Sequence, residues 1–316
     1  MGSGPAPGRT RKAVIDIGTV TTRLLVADTD GESIDEVVRR TVVTHLGEGL
    51  HASGRLSEGG IARVAEAVES FVSEAEALGA ESLSAVATSA ARDASNGREF
   101  CERVERSGVR PRIIPGATEA RLSFAGATYR MDDDDILIAD LGGGSTELVF
   151  GAVHDTPDGR SVEVDAARSL DVGSRRVLDM FLASDPPTSD ELGAASAWVT
   201  DEMRPFFDAL RSRPRTLITL AGTGTTLAAV RQELAEYDPA RVHLSRLTGG
   251  EVADLRGRLA ALPLEERRRV LGMDPARADV VVAGALILET IMALAGVDST
   301  VVSEHDILYG LLLAPS

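Results

Sequence analysis

Asp140-Leu141-Gly142-Gly143-Gly144-Ser145-Thr146-Glu147 lies between two apolar runs, Ile136 to Ala139 and Leu148 to Phe150. Apolar residues on both sides of a glycine cluster read as strand, tight turn, strand, with a carboxylate at each end of the turn. Consecutive glycines let the backbone approach a bulky anion and aim N–H groups at its oxygens. Asp140 and Glu147 have the hard oxygen chemistry that holds a divalent cation or its waters beside that anion. An ordinary hairpin with a flexible tip has the same local pattern, so the stretch alone leaves both readings open.

Working outward, the design recurs near the N-terminus. Val14-Ile15-Asp16-Ile17-Gly18-Thr19-Val20-Thr21-Thr22-Arg23-Leu24 is again strand, Asp, Gly, hydroxyl residues, strand. Arg23 adds a rigid fork of donors to the hydroxyls of Thr19, Thr21 and Thr22. A third stretch, Leu217 to Thr226, leaves a strand through Gly222-Thr223-Gly224 and opens a helix whose N-terminus favours an anion. Two Asp–Gly hairpins in separate halves suggest a duplicated module with a phosphate between the copies. Neither is a P-loop, which would need a lysine that both stretches lack.

Composition narrows the chemistry. The 316 residues suffice for two domains with separate cores, and with only 3% aromatics those cores must be aliphatic. Lys12 is the sole lysine, so arginine must handle any anion. A formal net charge of −16 argues against nonspecific nucleic-acid binding, which needs a positive footprint. No apolar stretch reads as a membrane span, and the Gly/Pro-rich start lacks the apolar core of a signal peptide. The single cysteine, Cys101, fits a buried thiol in a reducing cytoplasm.

Further along, Ser57 caps an expected helix to Leu78, and Asn96 with Glu99 reads as a capping box. Glu265 to Arg269 reads as a solvated charged face, and an apolar helix is expected over Ala276 to Ala295. Arg92 follows a strand at Leu83 to Ala87, placed either to clamp phosphate or to pair with Asp93. Glu119 falls in the first turn of a helix starting at Thr118 or Gly116. There it is either ordinary helix-end electrostatics or a carboxylate at an active cleft.

Taken in order, Asp16 to Thr19 with Arg23, Ala87 to Asp93, Gly116 to Leu122, Asp140 to Glu147, Gly222 to Thr226 and Val302 to Glu304 resemble the exopolyphosphatase and guanosine pentaphosphate phosphohydrolase family. The resemblance implies an α/β fold of two ribonuclease H-like domains, with mixed sheets flanked by helices and a cleft between them. It places a disordered tail at 1–11 and domains at 12–126 and 127–316, with the last helix free to pack back on the first domain. The short two-domain members are the nearest in form, and a homodimer is expected.

By that resemblance Glu119 positions the attacking water and Arg92 holds phosphoryl oxygens. Asp140 and Glu147, with Asp16, would bind Mg2+ or Mn2+. Gly18, Thr19 and Arg23, Gly142, Gly143, Gly144 and Ser145, and Gly222 and Thr223 would face phosphate. The implied activity is metal-dependent release of orthophosphate from the end of inorganic polyphosphate. Alternatives are hydrolysis of guanosine pentaphosphate, or binding of polyphosphate or an alarmone without turnover. A small-molecule kinase of the same superfamily is disfavoured by Glu119. Val20, Ala117-Thr118 and His305 to Tyr309 depart from the family pattern and predict altered substrate preference.

Overall fold

Each Asp–Gly turn joins the first two strands of a sheet, and the two sheets that result share one topology. The computed structural model describes residues 5, 8–156 and 159–314, which form two compact units. The first unit comprises Met1–Gly126 and Ile307–Ser316. Its strands are β1 (Thr10–Ile17), β2 (Thr21–Thr29), β3 (Ile34–Val43), β4 (Ser82–Ala87) and β5 (Arg112–Ile113), in the order β3-β2-β1-β4-β5. Its helices are α1 (Leu50–Ser53), α2 (Glu58–Ala77), α3 (Ser89–Asp93), α4 (Gly97–Val104) and α5 (Gly116–Ala127).

The second unit, Ala127–Asp306, has strands β6 (Asp133–Leu141), β7 (Thr146–Thr156), β8 (Gly159–Leu170), β9 (Thr216–Leu220), β10 (Arg246–Thr248) and β11 (Ser299–Val302). They run in the order β10-β11-β9-β6-β7-β8. Helices α6 (Ser174–Phe181), α7 (Ser189–Asp208), α8 (Ala221–Arg231), α9 (Pro239–Val242), α10 (Gly249–Ala260), α11 (Leu264–Arg267) and α12 (Val281–Ala295) belong to it. The last helix, α13 (Ile307–Leu313), belongs to the first unit, where a Cβ on Gly310 would lie 1.9 Å from the Leu122 carbonyl. Only glycine permits that approach.

The correspondence covers five strands of each sheet, with β10 an extra antiparallel strand beyond β11. β1, β2 and β3 form an antiparallel meander, with β4 parallel to β1 and β5 parallel to β4. β6, β7 and β8 repeat the meander, with β9 parallel to β6 and β11 parallel to β9. Both sheets are mixed and flanked by helices, the α/β ribonuclease H-like architecture expected from the sequence. Even the irregularities match: β3 carries one extra residue at Val37 and β8 one at Asp165, each a bulge in the meander's third strand.

The first core sets Ile15, Leu24 and Val26 against Ile61, Val68 and Phe71 of α2. Ser57 starts α2 as read from the sequence, its hydroxyl accepting from the Gly60 N–H, a cap worth about 1 kcal/mol. The second core sets Leu137, Leu148 and Phe150 against Val199 and Met203 of α7 and Ile287 of α12. α12 is apolar nearly all round because helices and sheet surround it.

Four local expectations are corrected. β1 begins at Thr10 rather than after a tail ending at residue 11, because the buried Arg11 guanidinium grips Asp28 and the Leu78 carbonyl; residues 1–4, 6 and 7 of that tail lie outside the described residues. Asn96 makes no capping bond; its amide bridges the backbone of Leu56 through both its oxygen and its nitrogen. Arg267 is buried rather than solvated, donating to the carbonyls of Leu259, Leu262 and Ala278. The apolar helix begins at Val281, later than Ala276, since Asp274 to Val280 form turns closed by hydrogen bonds to Asp274 and Arg277.

Candidate active site

The two hairpin tips are built alike. In the first, the Gly18 N–H donates to the Thr21 carbonyl at 2.9 Å; in the second, the Gly142 N–H donates to the Ser145 carbonyl at 3.0 Å. Each tip then gives its middle carbonyls to a neighbouring segment. Gly47 donates to Thr19 O, while Thr44 and His45 donate to Val20 O. At the other tip Ser174 donates to Gly142 O, Arg175 and Arg176 to Gly143 O, and the Arg176 side chain to Gly144 O. Gly173 reaches this close because it lacks a Cβ, which would lie 2.4 Å from Gly143 O. Among the described residues the N–H groups of Thr19, Val20, Gly143 and Gly144 donate to nothing. With carbonyls turned away and N–H groups left over, both tips have the donor geometry of an anion nest.

The side chains behind the tips differ. In β1–β2 the residues facing each other are Asp16 and Arg23, joined at 2.6 Å and 3.1 Å through one carboxylate oxygen. Asp16 is buried, and the guanidinium compensates its charge. Arg23 therefore serves Asp16 in this structure, and Asp16 is held in an ion pair. In β6–β7 the facing residues are Asp140 and Glu147, two carboxylates on one face of the sheet. Ser145 and Ser169 donate to the same Glu147 oxygen, at 2.8 Å and 2.6 Å, fixing the side chain.

The first unit also joins the two residues assigned to the chemistry. Arg92 Nη1 donates to Glu119 at 2.9 Å and to the Ile114 carbonyl at 3.1 Å. Gly116, at the start of α5, lies beside the guanidinium, where a Cβ would be 3.9 Å from Nη2. Arg92 is oriented by backbone and carboxylate together, and Asp93 stands off at 4.0 Å. Arg98 and Arg121 are exposed.

In the second unit β9 turns abruptly into α8 through Ala221, a non-glycine residue at φ 61°. No side chain caps α8, so its N-terminal donors are available to an anion. Gly222 lies at this end, and a Cβ there would lie 1.4 Å from Arg277 Nη1. The guanidinium rests on the helix start, and a side chain at 222 would push it aside. Thr223 is buried with its hydroxyl toward Gly284 of α12, so the helix start can use only its backbone N–H. The Tyr237 hydroxyl donates to Glu304 nearby, and burial with that carboxylate pushes the phenol up from its ordinary value. Arg277, Arg175 and Arg176 were not singled out by the sequence reading. The pattern Asp274-Pro275-Ala276-Arg277-Ala278-Asp279 gives no local sign of its distant partner Gly222.

The residues fit a hard divalent cation at one place. Opposed carboxylates such as Asp140 and Glu147 repel without a positive charge between or beside them. Among the described residues no group of three or more His, Cys, Asp or Glu gathers as a metal cage. A pair of carboxylates with the remaining positions left to water and phosphate is the ordinary magnesium arrangement.

A model of the Ppx/GppA phosphatase family matches residues 25–314. Exopolyphosphatase 2 of Mycobacterium tuberculosis is 38% identical over 326 aligned residues, covering 96% of this chain and 98% of its own. The crystal structure of an Aquifex aeolicus Ppx/GppA family member matches with a TM-score of 0.84 at 30% identity, over 96% of this chain and 97% of the other. An exopolyphosphatase from Cytophaga hutchinsonii matches with a TM-score of 0.81 at 27% identity, over 96% of both chains.

Proposed function

Because the chain belongs to the Ppx/GppA phosphatase family and is a phosphohydrolase, we propose that it releases orthophosphate from the end of inorganic polyphosphate. The observation that carries this reading is that each unit carries a hairpin tip whose spare N–H groups suit phosphate oxygens and read no base. Glu119, held by Arg92, orients the attacking water as a general base. Arg92 Nη2, unused by Glu119 and Ile114, binds phosphoryl oxygens, and in the second unit the tip N–H groups of Gly143 and Gly144 offer donors to phosphate oxygens. Asp140 and Glu147 would hold Mg2+ or Mn2+, which when bound supplies further positive charge to the phosphoryl oxygens. Gly18 and Thr19, and the α8 start at Gly222 with Arg277, bind further phosphates.

One observation favours guanosine pentaphosphate as the rival substrate. Tyr237 is 52% exposed with its hydroxyl fixed on Glu304, which gives a purine an aromatic surface that the sequence reading did not find. Orthophosphate release from short polyphosphate, long polyphosphate and guanosine pentaphosphate separates the two. Polyphosphate is expected to turn over fastest, and Glu119→Gln to lower kcat by about 100-fold or more. Preference for the nucleotide would replace the first reading with the second. Binding without turnover of any of them would make the protein a sensor.

A further inference from the structure

Among the helices of the second unit, a cavity of about 540 Å³ lies where α7, α10 and α12 converge. That volume falls within the range of ordinary small-molecule sites. None of the residues assigned above to phosphate or to a cation lines it. The gap has a cause in the sequence. Gly193 and Ser196 of α7 and Ala293 of α12 are too small to fill the space between their helices.

The lining has an apolar part, with Leu192, Leu286 and Leu294, and a polar part, with Arg204, Arg256 and Glu289. Arg256 donates through Nε to Glu289 at 2.5 Å, and among the described residues its two Nη groups donate to nothing. Arg204 differs. Asp201 and Asp208 stand three residues before it and four after it on α7, the spacing at which helical ion pairs form. Among the described residues Arg204 pairs with neither of them, nor with any other carboxylate, and it lines the cavity instead. The Ser196 hydroxyl on the same wall also has no hydrogen-bond partner among the described residues.

Charge selects the ligand. Arg256 and Glu289 cancel, so Arg204 leaves the cavity positive within a chain whose net charge is −16. That balance suits a single negative charge, since a second would meet Glu289. The leucines call for a hydrocarbon or aromatic body. Inorganic phosphate has no apolar surface to bury, which separates this chemistry from that of the hairpin tips. A guanidinium with spare N–H groups matches a carboxylate in both charge and shape.

We propose that this cavity binds a small carboxylate with an apolar body, its head on Arg204 and Arg256 and its body against Leu192, Leu286 and Leu294. Calorimetric titration with three probes tests it: octanoate, 1-octanol, which has the body alone, and acetate, which has the head alone. Octanoate is expected to bind one per chain, and each of the other two at least about tenfold more weakly. Arg204→Glu should weaken octanoate by at least about tenfold and leave octanol unchanged, whereas Arg204→Lys should keep most of the affinity. Ala293 is exposed, so Ala293→Trp should fill the cavity and abolish octanoate binding while the circular dichroism spectrum stays that of the wild type. Equal affinities for octanoate and octanol, undiminished octanoate binding in Arg204→Glu or in Ala293→Trp, or no octanoate binding at millimolar concentration would each overturn the proposal.

Discussion

The β1–β2 and β6–β7 hairpins share backbone, turn hydrogen bond and spare tip donors, yet they differ in what stands behind the tip. The first pairs Asp16 with Arg23 through one carboxylate oxygen. The second sets Asp140 opposite Glu147, two carboxylates on one face, a pairing that favours a cation. One scaffold thus carries an ion pair behind one tip and two facing carboxylates behind the other, through the identity of one cross-strand residue, Arg23 or Glu147. The fold supplies the donors, and the facing side chain decides the electrostatics.

The strongest way to break the comparison is to make the hairpins the same. Glu147→Arg copies the first pairing into the second unit, and orthophosphate release should fall by about 100- to 1000-fold with loss of cation binding. If activity survives, the charge difference is incidental. The reverse cut is structural. Arg23→Gln leaves the buried Asp16 uncompensated, and should cost about 3 kcal/mol, near the low end for a broken buried pair because Arg23 is partly exposed. It would be read as a lower thermal midpoint and faster hydrogen exchange in β1.

The far ends of the hairpins sharpen the contrast through pH. The first is closed by Arg11 and Asp28, where the hydrogen-bonded guanidinium holds the carboxyl below its ordinary value. A depressed folded pKa gives stability that is present above the unfolded value of about 3.9 and lost as pH falls through the folded one. Acid melts of the wild type should therefore weaken more steeply below pH ~4 than those of Asp28→Asn. At the second, His154 lies between Asp132 and Asp134, at 3.2 Å and 3.1 Å, and the Asp132 hydrogen bond leads in raising its pKa. A raised folded pKa gives stability that is full below about 6.5 and lost as pH rises through the folded value. The effect on this exposed side chain is the smallest predicted here. An NMR titration should show His154 protonating above the ordinary imidazole value, and returning to it in Asp132→Asn with Asp134→Asn.

Both hairpins were legible because everything in them is local. A tight turn after an Asp–Gly fixes the register, so Asp140 had to face Glu147 and Asp16 had to face Arg23. Duplicated topology followed from the duplicated motif. What escaped was the second partner of each motif, supplied from far along the chain. Gly47 and Thr44 on the first tip, Arg176 on the second, and Arg277 on Gly222 give no periodic sign of their targets. Asn96 and Arg267 misled for a related reason. Cap-like spacing and a charged run describe solvent-facing ends, whereas these two side chains satisfy buried backbone groups of other segments. Thr223 shows the limit of a motif read as a unit, since helix packing turns its hydroxyl toward Gly284 and leaves only its backbone at the helix start.

Calorimetric titration of Mn2+ into the wild type, Glu147→Gln and Asp16→Asn tests the central claim most directly. The account predicts that Glu147→Gln weakens binding by at least about tenfold while Asp16→Asn leaves it essentially unchanged. Undiminished binding in Glu147→Gln, or loss of binding in Asp16→Asn, would contradict the assignment of the cation to the acidic hairpin.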